Sequence, residues 1–124
     1  MKKHFYFIII FFFYFINNYS QTDVNGFYKG LIKILNQEIE IEIEFIKNND
    51  LLMGSMNIPS QGAQNIPLNN LKLEDKNIFF EIMEGPRKAV FSGEVNADSI
   101  NGELNQLSFK GSFIVYKSVK PIES

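Results

Sequence analysis

The residues whose spacing could do chemistry in this 124-residue chain are four glutamates, Glu38, Glu40, Glu42 and Glu44, one at every second position. Paired carboxylates can share a proton or hold calcium, but both tasks need convergence. A glycosidase sets two acids across a cleft with one pKa raised. Calcium takes about six to eight oxygens from a curved loop. Alternate positions on a strand lie roughly 6–7 Å apart along a line. The ladder therefore reads as a solvated face, neutralised in part by Lys29 and Lys33. Lys47-Asn48-Asn49-Asp50 lacks the spacing of a calcium loop. Glu81 and Glu84 lie on one segment, Glu94 and Glu103 on two others, and they converge only if the fold brings them together.

Other chemistries lack their residues. The sole histidine is His4, and there is no Cys or Trp. Beyond the first twenty residues, Ser-His-Asp and Cys-His catalysis and the usual zinc ligands are excluded. No Gly-x-Ser-x-Gly elbow and no Gly-rich phosphate loop occurs. The expectation is a chain that is not an enzyme, with no catalytic residues, no metal and no cofactor.

The N-terminus sets the compartment. Lys2 and Lys3 precede an uncharged apolar run from Phe5 to Ile16, and Asn17-Asn18-Tyr19-Ser20 follows. This order is that of a secretory signal peptide, read here as a leader helix over residues 1–20 with cleavage after Ser20. The run is short for a membrane span, which needs roughly 20 apolar residues; an uncleaved anchor is the competing reading. The leader predicts export, to the periplasm or the medium. Residues 21–124 then form one domain, with ten Lys and Arg against fourteen Asp and Glu, a net of −4. That balance disfavours nucleic acid and anionic membrane surfaces, which need clustered positive charge. No membrane contact is expected apart from the leader, and the domain is read as a monomer.

The elements that carry these residues alternate in twos. In Glu38-Ile39-Glu40-Ile41-Glu42-Ile43-Glu44-Phe45 every second residue is apolar, which makes a strand with one wet and one dry face. Gly26 to Leu35 supplies its partner. A two-residue loop at Asn36-Gln37 puts Lys33 opposite Glu40, Lys29 opposite Glu44, Ile32 opposite Ile41 and Tyr28 opposite Phe45. Turn signals at Lys47–Asp50, Asp75–Asn77, Gly85–Arg87 and Asn96–Asp98 separate further strands. These are Leu51–Asn57, Leu68–Glu74, Ile78–Met83, Lys88–Val95, Ser99–Leu104 and Ser112–Lys117. About eight strands at this spacing predict an all-β fold, a single antiparallel up-and-down β-barrel of lipocalin-like type. Gly30, Gly54, Gly93, Gly102 and Gly111 suggest the bends that let a sheet close.

The stretch from Ile58 to Pro67 is the longest predicted connection. Gln61, Gly62, Ala63, Gln64, Asn65 and Ile66 in it are the candidate ligand- or partner-binding residues, because long loops on rigid scaffolds carry function. The competing reading is a plain connection over one barrel end. Met53, Met56 and Met83 are read as core, with a lining role in a pocket as the alternative.

Four segments together resemble the N-terminal β-module of secreted bacterial α/β-hydrolases of the serine esterase type. They are Gly26-Phe27-Tyr28-Lys29-Gly30-Leu31-Ile32; Ser60-Gln61-Gly62-Ala63-Gln64-Asn65-Ile66-Pro67; Phe91-Ser92-Gly93 with Ile100-Asn101-Gly102-Glu103-Leu104-Asn105-Gln106; and Phe113-Ile114-Val115-Tyr116-Lys117. Ser60 stands where that pattern has an acid, and Asn65 where it has Gly. The resemblance spans about residues 24–120 and implies a barrel module without the catalytic domain, so no catalytic residue carries over. Three functions follow as expectations: an exported accessory or interaction domain whose partner is a hydrolase domain; a lipocalin-like carrier of a small apolar ligand; or a truncated remnant of a secreted hydrolase.

Overall fold

A computed structural model of the chain describes residues 22–121. The leader read over residues 1–20 lies outside them. Nine strands follow in order: β1 (Gly26–Ile34), β2 (Gln37–Asn48), β3 (Leu51–Ile58), β4 (Ala63–Pro67), β5 (Asn69–Glu74), β6 (Asn77–Glu84), β7 (Arg87–Asn96), β8 (Ser99–Gln106) and β9 (Phe109–Lys117). Every pairing is antiparallel, and the sheet order is β4-β3-β2-β1-β9-β8-β7-β6-β5. The chain starts in the middle of the sheet, meanders out to β4, resumes at β5 and returns until β9 lies against β1. The two edge strands meet at a seam, so the molecule is an all-β, nearly closed barrel.

The strands number nine because the descending run from Ala63 to Glu74 is broken at Leu68. Its upper part, β4, pairs with β3, through Met56↔Ile66 and Ser55↔Pro67. Its lower part, β5, pairs with β6, through Lys72↔Phe79 and Leu73↔Ile78. One run thus spans both sides of the seam, half on each.

Alternation decides what lies inside. Tyr28 and Ile32 of β1, Ile41, Ile43 and Phe45 of β2, and their counterparts around the barrel form one buried cluster. Its centre is aromatic. Phe80 stacks on Phe91 at 4.8 Å, Phe113 meets Phe91 edge-on at 5.3 Å, and Tyr28 meets Phe45 edge-on at 5.7 Å. Such pairs add about 0.5–1.5 kcal/mol each beyond the area they bury. Curling is tightest at glycine. A Cβ on Gly30 would overlap the Ile114 carbonyl oxygen, and one on Gly102 would overlap the Ser92 carbonyl across from it.

The first hairpin forms, but its loop is Leu35-Asn36, both with positive φ (54° and 60°). The expected Asn36-Gln37 loop is therefore corrected. Lys33 faces Glu38, Lys29 faces Glu42, Ile32 faces Ile39 and Tyr28 faces Ile43. The register differs by two residues, so every side chain keeps its face. Alternation cannot distinguish registers two apart; the turn decides between them.

Candidate functional site

At Pro67 the descending run loses an N–H, and the next amide, that of Leu68, donates to the Gly54 carbonyl at 3.0 Å. Asn70 then takes φ 54°, the register with β6 shifts between Asn69 and Lys72, and the Asn70 side-chain amide donates to Glu81 at 2.8 Å. The bulge swings β5 towards β6 and away from β3. Among the described residues, no main-chain hydrogen bond bridges β3 and β5 below the Leu68–Gly54 bond.

The result is an open wedge of about 780 Å³ at the end of the barrel where the chain enters. Leu52, Leu71 and Leu73 line it half-buried, with Leu51 exposed at its lip. Asp23, Asp50 and Asp75 stand around it, with Lys47 among them. Residues 22–25 bound its lower side. Val24 is buried in the core, the Asn25 amide donates to Asp23 Oδ1 at 2.9 Å, and Asn25 Oδ1 accepts from the Lys47 amide at 3.1 Å. Antiparallel strands turn both main-chain groups of alternate residues to the same side. Since the Gly54 carbonyl points across the seam, Leu52 presents its N–H and C=O to the wedge.

The glutamate ladder is occupied otherwise. Glu40 pairs with Lys29 at 3.4 Å, Glu42 accepts from the Asn57 side chain at 3.0 Å, and Glu44 pairs with Lys120 at 3.0 Å. Among the described residues, no three His, Cys, Asp or Glu gather closely enough to hold a metal ion. A second hollow, about 450 Å³, lies on the outer wall among Leu31, Lys33, Asn101, Glu103, Ser112 and Ile114.

The predicted loop is not a loop throughout. Pro59–Gln61 form a short 3-10 turn; Gly62 follows with φ 65° and donates its amide to the Pro59 carbonyl at 3.1 Å. Ala63, Gln64, Asn65 and Ile66 belong to β4, with Ala63 and Ile66 packed against the core. The cause is Asn57, whose side-chain oxygen accepts from the Asn65 amide at 2.8 Å and ties the segment to β3. These residues lie at the end of the barrel opposite the wedge, so the structure does not bring them together with it. Of the three methionines read as core, Met56 is buried, while Met53 and Met83 are about half exposed.

Sequence reasoning missed the wedge. Its signal was present in Pro67 and in Asn69-Asn70, which interrupt an otherwise alternating run. It also missed Tyr28, whose buried hydroxyl has no hydrogen-bond partner. Burial, with Asp23 and Asp98 nearby, raises its pKa above the ordinary value. No family model matches the chain, and neither a curated protein nor a solved structure matches it.

Proposed function

We propose that this chain is an exported, non-catalytic binding module that takes an extended polypeptide segment into the wedge between β3 and β5. The observation that carries this reading is the break at Leu68, which leaves a strand edge unpaired beside a leucine-lined opening. Strand addition uses such features together, with main-chain hydrogen bonds for affinity and alternate side-chain sites for selectivity. Three aspartates around the opening favour a segment with basic residues at its ends. The resemblance to a hydrolase module is consistent with a protein partner. In that family the catalytic domain follows the closing strand, and here β9 ends at the same end as the wedge. The Lys117 amide donates to Asp98 there, and Lys120 reaches Glu44.

The carrier reading is weaker. Ile32, Ile41, Phe80 and Phe91 are buried together in the barrel interior, where an apolar ligand would have to lie.

The test is titration of the chain from Gln21 onward with an acetylated heptapeptide of alternating valine and threonine, ended by lysines, followed by amide NMR. The expected result is saturable shifts at Leu52, Leu71 and Leu73, lost in Leu52→Asp and weakened at least tenfold when glutamates replace the lysines. Shifts confined to other strands, or equal binding of both peptides, would refute the reading.

A further inference from the structure

Two-residue hairpin turns need left-handed residues, and Gly, Asn and Asp supply that conformation most cheaply. The chain follows this rule with Asn49, Asp75 and Gly85, and departs from it with Ala97, φ 50°, in the turn between β7 and β8. At two turns it places leucine instead, Leu35 with φ 54° and Leu107 with φ 58°. A bulky side chain adopts this conformation only under strain. Neither leucine gains compensating burial, since they are 61 % and 71 % exposed. The β1–β9 pairing, which runs up to Ile34↔Gly111, sets the two hairpins side by side. Phe109, 45 % exposed, follows Leu107 by two residues.

Charge is unevenly spread along the same axis, although Lys47, Lys76 and Lys117 stand at the wedge end. Lys33 and Lys110 stand on the strands that run into these turns, opposite Glu38 and Asn105. Arg87 and Lys88 stand on the neighbouring hairpin, where Lys88 lies 3.7 Å from Glu81. All four aspartates, Asp23, Asp50, Asp75 and Asp98, lie at or near the opposite end, in the entry segment or in its turns. This end thereby sets four cations against Glu38, Glu81 and Glu84 around two exposed apolar tips, a slight positive excess in a chain that is net negative.

We propose that this end of the barrel docks on an anionic phospholipid bilayer, with Leu35 and Leu107 entering the interface and Lys33, Lys110, Arg87 and Lys88 meeting the headgroups. Strained, exposed apolar turns flanked by cations fit a surface that is oily beneath and negative above. This inference is independent of the wedge, which lies at the other end.

The test is co-sedimentation of the chain from Gln21 onward, which holds every strand of the sheet. Phosphatidylcholine vesicles are used with and without about one third phosphatidylglycerol. The expected result is binding to the anionic vesicles that falls with added salt and drops at least tenfold in the Leu35→Asn/Leu107→Asn double variant. Asparagine suits the left-handed turn, so the same variant should melt at a higher temperature, which separates lost docking from lost folding. Leu51→Asn, at the wedge end, should bind as the parent does. Absence of vesicle binding, indifference to phosphatidylglycerol, undiminished binding by the double variant, or leucine-dependent self-association without lipid would each overturn the proposal.

Discussion

The Leu68 amide and the Gly54 carbonyl, 3.0 Å apart, make the last main-chain hydrogen bond across the seam of the barrel. Above it the descending run belongs to β3; below it, to β6. The bond therefore marks where closure stops. Amide exchange follows hydrogen bonding and local opening. In native-state exchange, the Leu68 amide should be protected at least tenfold more than that of Leu52, which faces the wedge without a main-chain partner. Equal protection of the two would mean that the seam is closed below Leu68 in solution.

Closure elsewhere depends on missing side chains. Gly93 and Gly102 face each other across β7 and β8, and a Cβ on Gly102 has no room against Ser92 and Gly93. Overpacking against main chain cannot relax by a rotamer change, so Gly102→Ala should cost about 2–3 kcal/mol. For a domain of this size that lowers the melting temperature by roughly 10 °C or more. Gly62→Ala is the instructive contrast. Nothing lies within 4 Å of a Cβ there, yet φ is 65°. Its cost should be about 1 kcal/mol, from backbone strain alone. Thermal melts of the two variants separate crowding from conformation.

The region first read as the longest connection is a strand paired with β3 and tied to it by one side chain. Asn57 accepts from the Asn65 amide at 2.8 Å and donates to Glu42 at 3.0 Å, joining β2, β3 and β4. Asn57→Ala removes both bonds and should cost about 1–2 kcal/mol. Its amide shifts should concentrate in Gly62–Ile66 and leave Leu71 and Leu73 unmoved. Shifts spreading into β5 would instead couple this end to the wedge.

The all-β class and most strand limits were legible because one face of each strand is buried, and burial imposes a period of two on residues such as Ile39, Ile41, Ile43 and Phe45. The turn of the first hairpin was not legible. Leu35 is a poor left-handed residue, and a shift of two leaves every residue on its face. β4 was hidden because its pattern is broken by Gly62, by Asn65 at φ 56° and by Pro67, and because its anchor, Asn57, lies outside it. The wedge arises from two segments distant in sequence, Leu51–Leu52 and Leu71–Leu73. No local pattern reports that two strands fail to meet.

Tyr28 carries the one buried side-chain polar atom without a partner among the described residues. An unpaired buried hydroxyl costs free energy that phenylalanine avoids, so Tyr28→Phe should stabilise the barrel by about 1 kcal/mol. The pH dependence follows from the raised pKa, caused by burial and then by Asp23 and Asp98. Below the ordinary value of 10.0 the phenol is neutral in both the folded and the unfolded chain, and pH has no effect through it. Above that value the unfolded chain loses the proton while the folded chain keeps it, so unfolding is favoured as pH rises. The parent should then lose stability relative to Tyr28→Phe by up to about 1.4 kcal/mol per pH unit, until the folded pKa is reached. Urea melts of both proteins between pH 8 and about 11.5 measure the difference. A constant gap across that range would show that the Tyr28 hydroxyl is solvated in the folded protein.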